Sequence, residues 1–280
     1  MKQSNGARKL ALVLGGGGSK GALQVGLYRA LCELGLRPDL IIGASVGAVN
    51  GAFMAAGVGP RALAGGWATL SRQDLFSYNW RVLWKGLSAS SLFSPARLRR
   101  LLERLPARDF EDLTTPLAVV TTHLTAGEPC IWERGDLVEA VVASCSVPGL
   151  LPPVEGHDRV LHVDGSLANN VPIEVAFARG ATHVVAMNCR TCDRCRRNSA
   201  RLTDVIGQAF SIAADCKLRE MADSYATRRE VLLLQPDLGV HINALDFSQG
   251  RKLVQAGYAC ALPELRRWVA AAGLLSGEAA

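Results

Sequence analysis

The amino-acid sequence predicts a three-layer α/β fold, in which a mostly parallel central sheet lies between two layers of helices. Three observations support this fold class. Short apolar runs alternate with segments of helical periodicity over the first 60 residues, further strand-like runs recur along the chain, and 49% of the 280 residues are hydrophobic. Alternation of strands and helices favours parallel pairing, with both faces of the sheet covered.

The first 60 residues show the alternation most clearly. Leu10 to Leu14 is an apolar run typical of a buried strand, and Ser19 to Leu34 carries apolar residues at helical spacing, with Gly35 as its natural stop. A second buried strand is expected at Leu40 to Ile42, followed by a helix of mostly small residues at Val46 to Ala56. Later strands are expected at 117–122, 130–132, 160–163, 182–187 and 231–234.

Residues 65–116 interrupt this pattern and are expected to form a helical, lid-like lobe. Six aromatic residues crowd into this part of the chain: Trp67, Phe76, Tyr78, Trp80, Trp84 and Phe93. We interpret them as the small core of the lobe, and the alternative is a lid or lipid-facing surface over a site. The whole domain is expected to span residues 8–240, with a helical extension and a loose tail over 241–280.

The charge and hydropathy of the chain limit its partners and location. The formal net charge of +6 is spread over short basic groups such as Arg99-Arg100 and Arg266-Arg267. This pattern is typical of a solvated basic surface, and it suits an anionic membrane or an acidic substrate as well as it suits nucleic acid. No apolar run reaches the roughly 18 residues of a membrane-spanning helix. We therefore expect a cytoplasmic protein that associates at most peripherally with membranes.

The cysteines indicate thiols rather than a disulfide framework. Eight cysteines in 280 residues are too dispersed for a small disulfide-stabilised scaffold, so a reducing compartment is expected. Cys189, Cys192 and Cys195 have the spacing of metal ligands, but no second pair accompanies them, and the nearest later cysteine is Cys216. They are interpreted as free thiols in an arginine-rich loop rather than as a metal site.

A candidate nucleophile lies between the second strand and the helix that follows it. Gly43 to Gly47 fits the pattern G-x-S-x-G with Ser45 at its centre. A nucleophile elbow needs glycines such as Gly43 and Gly47 because the chain turns sharply there and side chains would clash. The positive end of the following helix also favours negative charge that develops at this point. Ser45 is therefore predicted to be a nucleophile rather than an ordinary helix cap.

A run of glycines after the first strand predicts a site for an anion. The segment Gly15 to Gly21 opens a helix, so its backbone N–H groups can converge on a negative charge. Lys20 is followed by Gly21 rather than by Ser or Thr, so the order differs from that of a P-loop, and no acidic residue ends the second strand as a dinucleotide site requires. We predict that an oxyanion hole is formed by Gly16, Gly17 and Gly18. Lys20 is expected to steady the loop or to meet a phospholipid phosphate.

The serine also needs a base, and the residues alone leave two alternatives open. The candidates among the histidines are His123, His157, His162, His183 and His241, none of which lies in a motif. His162 and Asp164 lie at the end of a predicted strand and project to the same side, because side chains alternate along a strand. Either residue could reach Ser45, so both a Ser-His and a Ser-Asp pair fit the sequence.

These segments together resemble the patatin-like phospholipases, in the same order along residues 10–188. The glycine loop resembles the family's G-G-G-x-[KR]-G, and the elbow matches as well. Four further segments carry the resemblance: Ala143 to Gly149 for A-S-x-x-x-P-G, Pro152 to Val154, Asp164 to Ser166 for D-G-[GA], and Asn169 to Pro172. Two residues depart from the family pattern. Ser166 stands where relatives usually have Gly or Ala. His123 stands where many relatives carry an acidic residue, and we expect His123 to have a structural role.

The resemblance implies a site and an activity. It implies that Asp164, followed by Gly165, pairs with Ser45, and that neither a metal nor a cofactor is required. The implied reaction is hydrolysis of carboxyl esters in phospholipids or lysophospholipids through an acyl-enzyme intermediate, without a nucleic-acid partner. The alternatives are a broader esterase or thioesterase, and a regulatory or scaffolding protein of low activity on the same fold.

Overall fold

A central sheet of eight strands organises the fold. It is seen in a computed structural model that describes residues 8–80, 84, 90–157, 159–189, 205, 208–209, 212–213, 225, 228–240 and 242–272. The strands are β1 (Leu10–Leu14), β2 (Leu40–Ala44), β3 (Ser77–Tyr78), β4 (Phe93–Ser94), β5 (Leu117–His123), β6 (Pro129–Trp132), β7 (Val154–Glu155), β8 (Leu161–Asp164), β9 (His183–Met187) and β10 (Val231–Leu234). The helices are α1 (Ala22–Glu33), α2 (Val46–Ala55), α3 (Pro60–Thr69), α4 (Arg72–Leu75), α5 (Ala96–Leu102), α6 (Leu137–Ser144), α7 (Ile173–Ala178) and α8 (Gly250–Ala272).

The strand order confirms a mostly parallel sheet. It runs β10-β9-β1-β2-β5-β8-β7, and β6 pairs with β5 off this path. The strands from β10 to β5 are parallel to one another. β6 and β8 are antiparallel to β5, β7 is antiparallel to β8, and β3 and β4 form a small separate pair. The predicted helix at Ser19 begins instead with a 3₁₀ turn over Gly18–Gly21, and the α-helix follows at Ala22.

Helices cover both faces of the sheet, as predicted for a three-layer fold. Side chains of β1 alternate between two separate apolar clusters. Leu12 and Leu14 belong to the cluster that includes buried residues of α1, α2 and α8, whereas Ala11 and Val13 pack with Ile173 of α7 on the other face. The site described below lies where the parallel strands end.

Strand pairing along the two edges of β5 determines the position of β8. β2 pairs with β5 as far as Val120, and β6 pairs with residues 119–122 of β5. β8 pairs with residues 121–123 of β5. Since β6 already takes one edge of that stretch, β8 lies along the edge that β5 shares with β2, and the last residue of β8 pairs with Thr121, one position past the end of the β2 pairing. This arrangement brings Asp164, the last residue of β8, towards the turn that follows Ala44.

The lobe divides its aromatic residues between core and surface. Trp67 and Phe93 are buried, and Phe76 packs partly buried against the same core. By contrast, Tyr78, Trp80 and Trp84 are 68%, 71% and 90% exposed. The three less exposed aromatics belong to the main core that also contains Leu12 and Leu14, so among the described residues the aromatics do not form a separate core of the lobe.

Helices α1 and α8 touch through two glycines. A Cβ added to Gly257 would lie 2.1 Å from the carbonyl oxygen of Leu23, and one added to Gly26 would lie 2.3 Å from the backbone nitrogen of Tyr258. Only glycine permits so close an approach of two backbones. The segment after residue 240 thus contains a helix packed on the first helix of the fold. The predicted boundary at 240 stays a prediction, and the predicted tail lies outside the described residues.

We expect Gly257→Ala to lower the free energy of unfolding by about 2 kcal/mol or more, because the added methyl would force the two helices apart. The matched control is Gly65→Ala in α3, where an added Cβ meets no atom within 4 Å. This control should raise stability by about 0.5–1 kcal/mol, since alanine favours a helix interior over glycine. Urea unfolding followed by circular dichroism measures both. Similar changes in the two variants would contradict the close helix contact.

Candidate active site

Ser45 lies at a strained turn between β2 and α2. Its φ of 55° and ψ of −126° place it in a region that residues with side chains rarely adopt, at a cost of about 1–3 kcal/mol. Gly47 gives the turn its space, because a Cβ there would lie 2.0 Å from the carbonyl oxygen of Leu14. A Cβ on Gly43 would lie 2.4 Å from the carbonyl oxygen of Gly47. Two glycines of the G-x-S-x-G segment therefore make the turn sterically feasible.

Asp164 meets Ser45 directly. The Ser45 hydroxyl donates to Asp164 Oδ2 at 2.7 Å, and the backbone N–H of Ser166 donates to Oδ1 at 2.9 Å. The Asp164 side chain is fully buried. Burial raises its pKa to about 6, and hydrogen bonds from Ser45 and Ser166 lower the pKa only in part. The site thus holds a carboxylate with unusual basicity against a serine hydroxyl.

The described histidines are engaged away from Ser45. They are His123, His157, His162 and His183. His162 Nδ1 lies 3.0 Å from Thr121 Oγ1, and its ring meets Trp132 edge-on at 5.1 Å between centroids. His123 Nδ1 accepts two backbone N–H groups of the next turn, which is a structural role. None of the four lines the cavity that contains Ser45, and His241 lies outside the described residues.

The glycine loop presents backbone N–H groups next to the serine. A Cβ on Gly16 would lie 3.1 Å from Ser45 Cβ, so the loop adjoins Ser45. The N–H of Gly16, however, donates to Asn170 Oδ1 at 2.8 Å. In the described part of the chain no acceptor takes the N–H of Gly17 or Gly18. Of the three predicted oxyanion donors, two are therefore available to a ligand.

Buried polar side chains brace the loop from behind. Gln24 Nε2 donates to the carbonyl oxygen of Gly15 at 2.6 Å, and Asn50 Nδ2 donates to Gln24 Oε1 at 2.7 Å. Trp67 Nε1 completes the chain by donating to Asn50 Oδ1 at 3.0 Å. This network ties the loop to α1, α2 and α3. No sequence pattern predicts this network, because single polar residues on helices are usually solvent-exposed.

Ser144 braces the serine turn from the other side. Its Oγ accepts the backbone N–H of Ser45 at 2.9 Å and donates to the carbonyl oxygen of Val120 at 2.6 Å. A hydroxyl can do both at once because it is donor and acceptor. Ser144 belongs to the segment that resembles A-S-x-x-x-P-G. That resemblance was a sequence signal from which a role of Ser144 in the site could have been predicted.

The other predicted supporting residues lie around the same point. A Cβ on Gly165 would lie 2.0 Å from the carbonyl oxygen of Val120, so glycine is required there. Ser166 Oγ is buried close to Gly16 and makes no hydrogen bond of ordinary geometry among the described residues. Its hydroxyl still helps to lower the pKa of Asp164. Lys20 lines the cavity.

Of the three cysteines with metal-ligand spacing, the structure describes Cys189. Its thiol is fully buried, and burial raises its pKa to about 12, so it stays protonated. A Cβ on Gly17 would lie 2.8 Å from Cys189 Cβ, which shows that this thiol packs behind the glycine loop. Cys192 and Cys195 lie outside the described residues, so the interpretation of all three as free thiols stays untested.

A large, mainly apolar cavity opens in front of Ser45. Its volume is about 1640 Å³. The apolar lining includes Phe53, Leu63, Trp67, Leu70, Leu75, Phe76, Leu98, Leu101, Leu150, Leu151 and Phe247. The charged lining in the described residues consists of Lys20, Asp74, Arg97, Arg100 and Arg104. Such a cavity suits a ligand with long apolar chains and a polar end.

Comparisons with known proteins show the family and the fold. The chain matches the family model "Patatin-like phospholipase" over residues 12–177. It is 36% identical over 189 residues to patatin-like phospholipase domain-containing protein 7 of Rattus norvegicus, covering 66% of this chain and 14% of that protein. It is 30% identical over 186 residues to the neuropathy target esterase sws of Drosophila melanogaster, covering 66% of this chain and 13% of that protein. The chain therefore spans only a small part of the length of these relatives.

A solved structure supports the fold alone. The crystal structure of VipD from Legionella pneumophila matches with a TM-score of 0.53 at 15% sequence identity. The match covers 94% of this chain and 67% of that one.

We expect Asp164→Asn to be more stable than the wild type at pH 8 by about 2–3 kcal/mol. The folded protein holds the Asp164 proton up to a pKa of about 6, against an ordinary value of 3.8. Ionisation between these values therefore destabilises the folded state as the pH rises. The gain should vanish below about pH 4, where the carboxyl is protonated in both states.

Thermal unfolding of both proteins from pH 4 to 8 measures this difference. The exposed variant Glu103→Gln is the control, and its difference from the wild type should not follow the same pH course. A difference between Asp164→Asn and the wild type that does not change with pH would contradict the raised pKa.

Proposed function

Since the chain belongs to the patatin-like phospholipase family, we propose that it hydrolyses carboxyl esters of lipids with Ser45 as nucleophile and Asp164 as general base. The observation that carries the proposal is the 2.7 Å hydrogen bond between Ser45 Oγ and Asp164 Oδ2, at the wall of an apolar cavity. The names of the relatives, a phospholipase domain and an esterase, point to the same class of reaction.

The first step transfers a proton and forms a bond. Asp164 takes the hydroxyl proton of Ser45 while Ser45 Oγ attacks the ester carbonyl carbon, which gives a tetrahedral intermediate. A carboxylate is a weaker base than imidazole, and burial of Asp164 offsets this by raising its pKa to about 6. The strained turn at Ser45 holds the hydroxyl in place before substrate binds.

The negatively charged oxygen of the tetrahedral intermediate must be stabilised by hydrogen-bond donors. The N–H groups of Gly17 and Gly18 are suited to this role because both residues line the cavity that contains Ser45 and neither N–H has another acceptor among the described residues. The alcohol leaves with the proton from Asp164, and the acyl group stays on Ser45. Water, activated by the same carboxylate, then releases the fatty acid. No residue in this sequence of steps calls for a metal or a cofactor.

The proposed substrates are phospholipids or lysophospholipids at a membrane surface. The apolar lining of the cavity can hold acyl chains, and the exposed Tyr78, Trp80 and Trp84 of the lobe are of the types that favour the membrane–water interface. Among the described helices, none has the length and apolar character to cross a bilayer. A peripheral contact through the lobe would bring lipid to the cavity.

We expect Ser45→Ala to abolish hydrolysis across a panel of lipid esters and to abolish labelling by a fluorophosphonate probe. His162→Ala should keep both activities within a few-fold, because the His162 ring faces Thr121 and Trp132. The panel contains phosphatidylcholine, lysophosphatidylcholine, a p-nitrophenyl ester and a thioester, so it also separates a phospholipase from a broad esterase. A folded wild type that neither reacts with the probe nor cleaves any ester would favour a scaffolding role.

The pH dependence of kcat/KM tests the base. We expect activity to rise with pH and to level off above an apparent pKa of about 6, as Asp164 loses its proton. Ser166→Ala should move the midpoint to higher pH, because the Ser166 hydroxyl helps to lower the pKa of Asp164. Asp164→Asn should be inactive at every pH. A midpoint that moves with His162→Ala but not with Ser166→Ala would identify a histidine base instead.

A further inference from the structure

We propose that three arginines at the opening of the cavity form a binding site for the phosphate of a lipid with a net negative head group. The inference rests on the proposed function and adds the class of substrate. The residues are Arg97 and Arg100 of α5 and Arg104, two residues beyond the end of that helix. All three are exposed, and all three line the cavity that contains Ser45.

The spacing of the arginines places them together. Residues three apart lie on the same face of a helix, as Arg97 and Arg100 do, and Arg104 in the turn after the helix lines the same cavity. Leu98 and Leu101, between them, turn apolar side chains into the same cavity, and Leu98 is buried. The helix therefore offers apolar surface to an acyl chain and positive charge at the solvent edge.

The neighbouring Arg99 shows what a structural arginine on this helix does. It makes a bidentate ion pair with Glu139 of α6, at 2.8 Å and 2.7 Å. Within the described residues, none of the three cavity-lining arginines forms an ion pair with a carboxylate. Arg97 donates to the backbone carbonyl of Gln73, which leaves its charge unbalanced. Their charges are thus available to a ligand.

One carboxylate offsets this charge only in part. Asp74 is the acidic residue among the described lining residues. Its pKa is lowered mainly by hydrogen bonds from Ser71, and the nearby charges of Arg97 and Arg104 lower it further. Its carboxylate is already used at the start of α4, where it accepts the N–H and the hydroxyl of Ser71 at 2.8 Å and 2.6 Å. Three guanidinium groups against one engaged carboxylate leave a net positive opening.

The chemistry of the opening selects among phospholipid head groups. Guanidinium groups match the geometry of phosphate oxygens and bind them through paired hydrogen bonds. Phosphatidylglycerol or phosphatidic acid presents that phosphate without a cation. Phosphatidylcholine adds a quaternary ammonium, which the arginines repel. The opening therefore favours lipids whose head group is negative overall, including their lysophospholipid forms.

The test is binding of monomeric short-chain lipids to the Ser45→Ala protein, which cannot turn them over under the proposed mechanism. The probes are dihexyl ether phosphatidylglycerol and dihexyl ether phosphatidylcholine below their micelle concentrations, measured by isothermal titration calorimetry. We expect phosphatidylglycerol to bind about tenfold more tightly, and Arg100→Glu with Arg104→Glu to remove the difference. The matched control is Arg37→Glu, an exposed arginine before β2 at the opposite end of the parallel strands, which should keep the difference.

Four results would overturn the site. The first two are equal binding of the two lipids and a preference that survives the double substitution. The third is glycerol 3-phosphate binding as tightly as the lipid, which would indicate a site for free phosphate, and the fourth is binding of phosphatidylglycerol as vesicles but not as monomers, which would indicate a docking patch. The proposed function is tested by a separate measurement, because the binding assay needs no catalysis. If the wild type does not hydrolyse a neutral p-nitrophenyl ester, the proposed function fails, whatever the binding assay shows.

Discussion

The hydrogen bond between Ser45 and Asp164 is the contact around which the rest of the structure is arranged. The two residues are 119 positions apart in the chain. They meet because β8 pairs with the part of β5 that β2 leaves unpaired, and its antiparallel direction brings the carboxyl end of β8 to the carboxyl end of β2. A shift of β8 by one residue would turn Asp164 to the opposite face of the sheet. The register of a short antiparallel strand thus determines whether the site exists.

Several features around this contact lower stability. The turn at Ser45 is strained, the Asp164 carboxyl is buried, and the Ser166 hydroxyl is buried without an ordinary partner. Each works against folding by an amount on the order of 1–3 kcal/mol. They persist because the surroundings are densely packed and hydrogen-bonded, with Ser144 on one side and the network of Gln24 and Asn50 on the other. Such a concentration of strain and unpaired polarity is typical of functional sites.

The sequence predicted the features that depend on local chemistry. The parallel sheet followed from the alternation of strand and helix, and the serine turn followed from the glycines at 43 and 47. The residue pattern left Asp164 and His162 open and only the family resemblance favoured Asp164, because the contacts of the His162 ring with Thr121 and Trp132 are long-range features that a local pattern does not contain. Likewise, Gly16 matches the loop motif, but its N–H is taken by Asn170, 154 residues later. Burial is also non-local, which is why three exposed aromatics of the lobe were assigned to its core.

The glycine loop has a further partner whose place in the chain matters during protein synthesis. Gly18 lies in the left-handed region with a φ of 60°, and an added Cβ would lie 2.3 Å from the carbonyl oxygen of Ala244, which also accepts the N–H of Ser19 at 2.7 Å. Ser19 Oγ donates to the carbonyl oxygen of Asn243. A nascent chain on the ribosome carries its serine and its aspartate long before residues 243 and 244 emerge. The network of Gln24 and Asn50 can brace Gly15 earlier, but the hydrogen bonds of Ser19 to residues 243 and 244 form only after these residues emerge, so this side of the glycine loop is the last part of the site to be assembled.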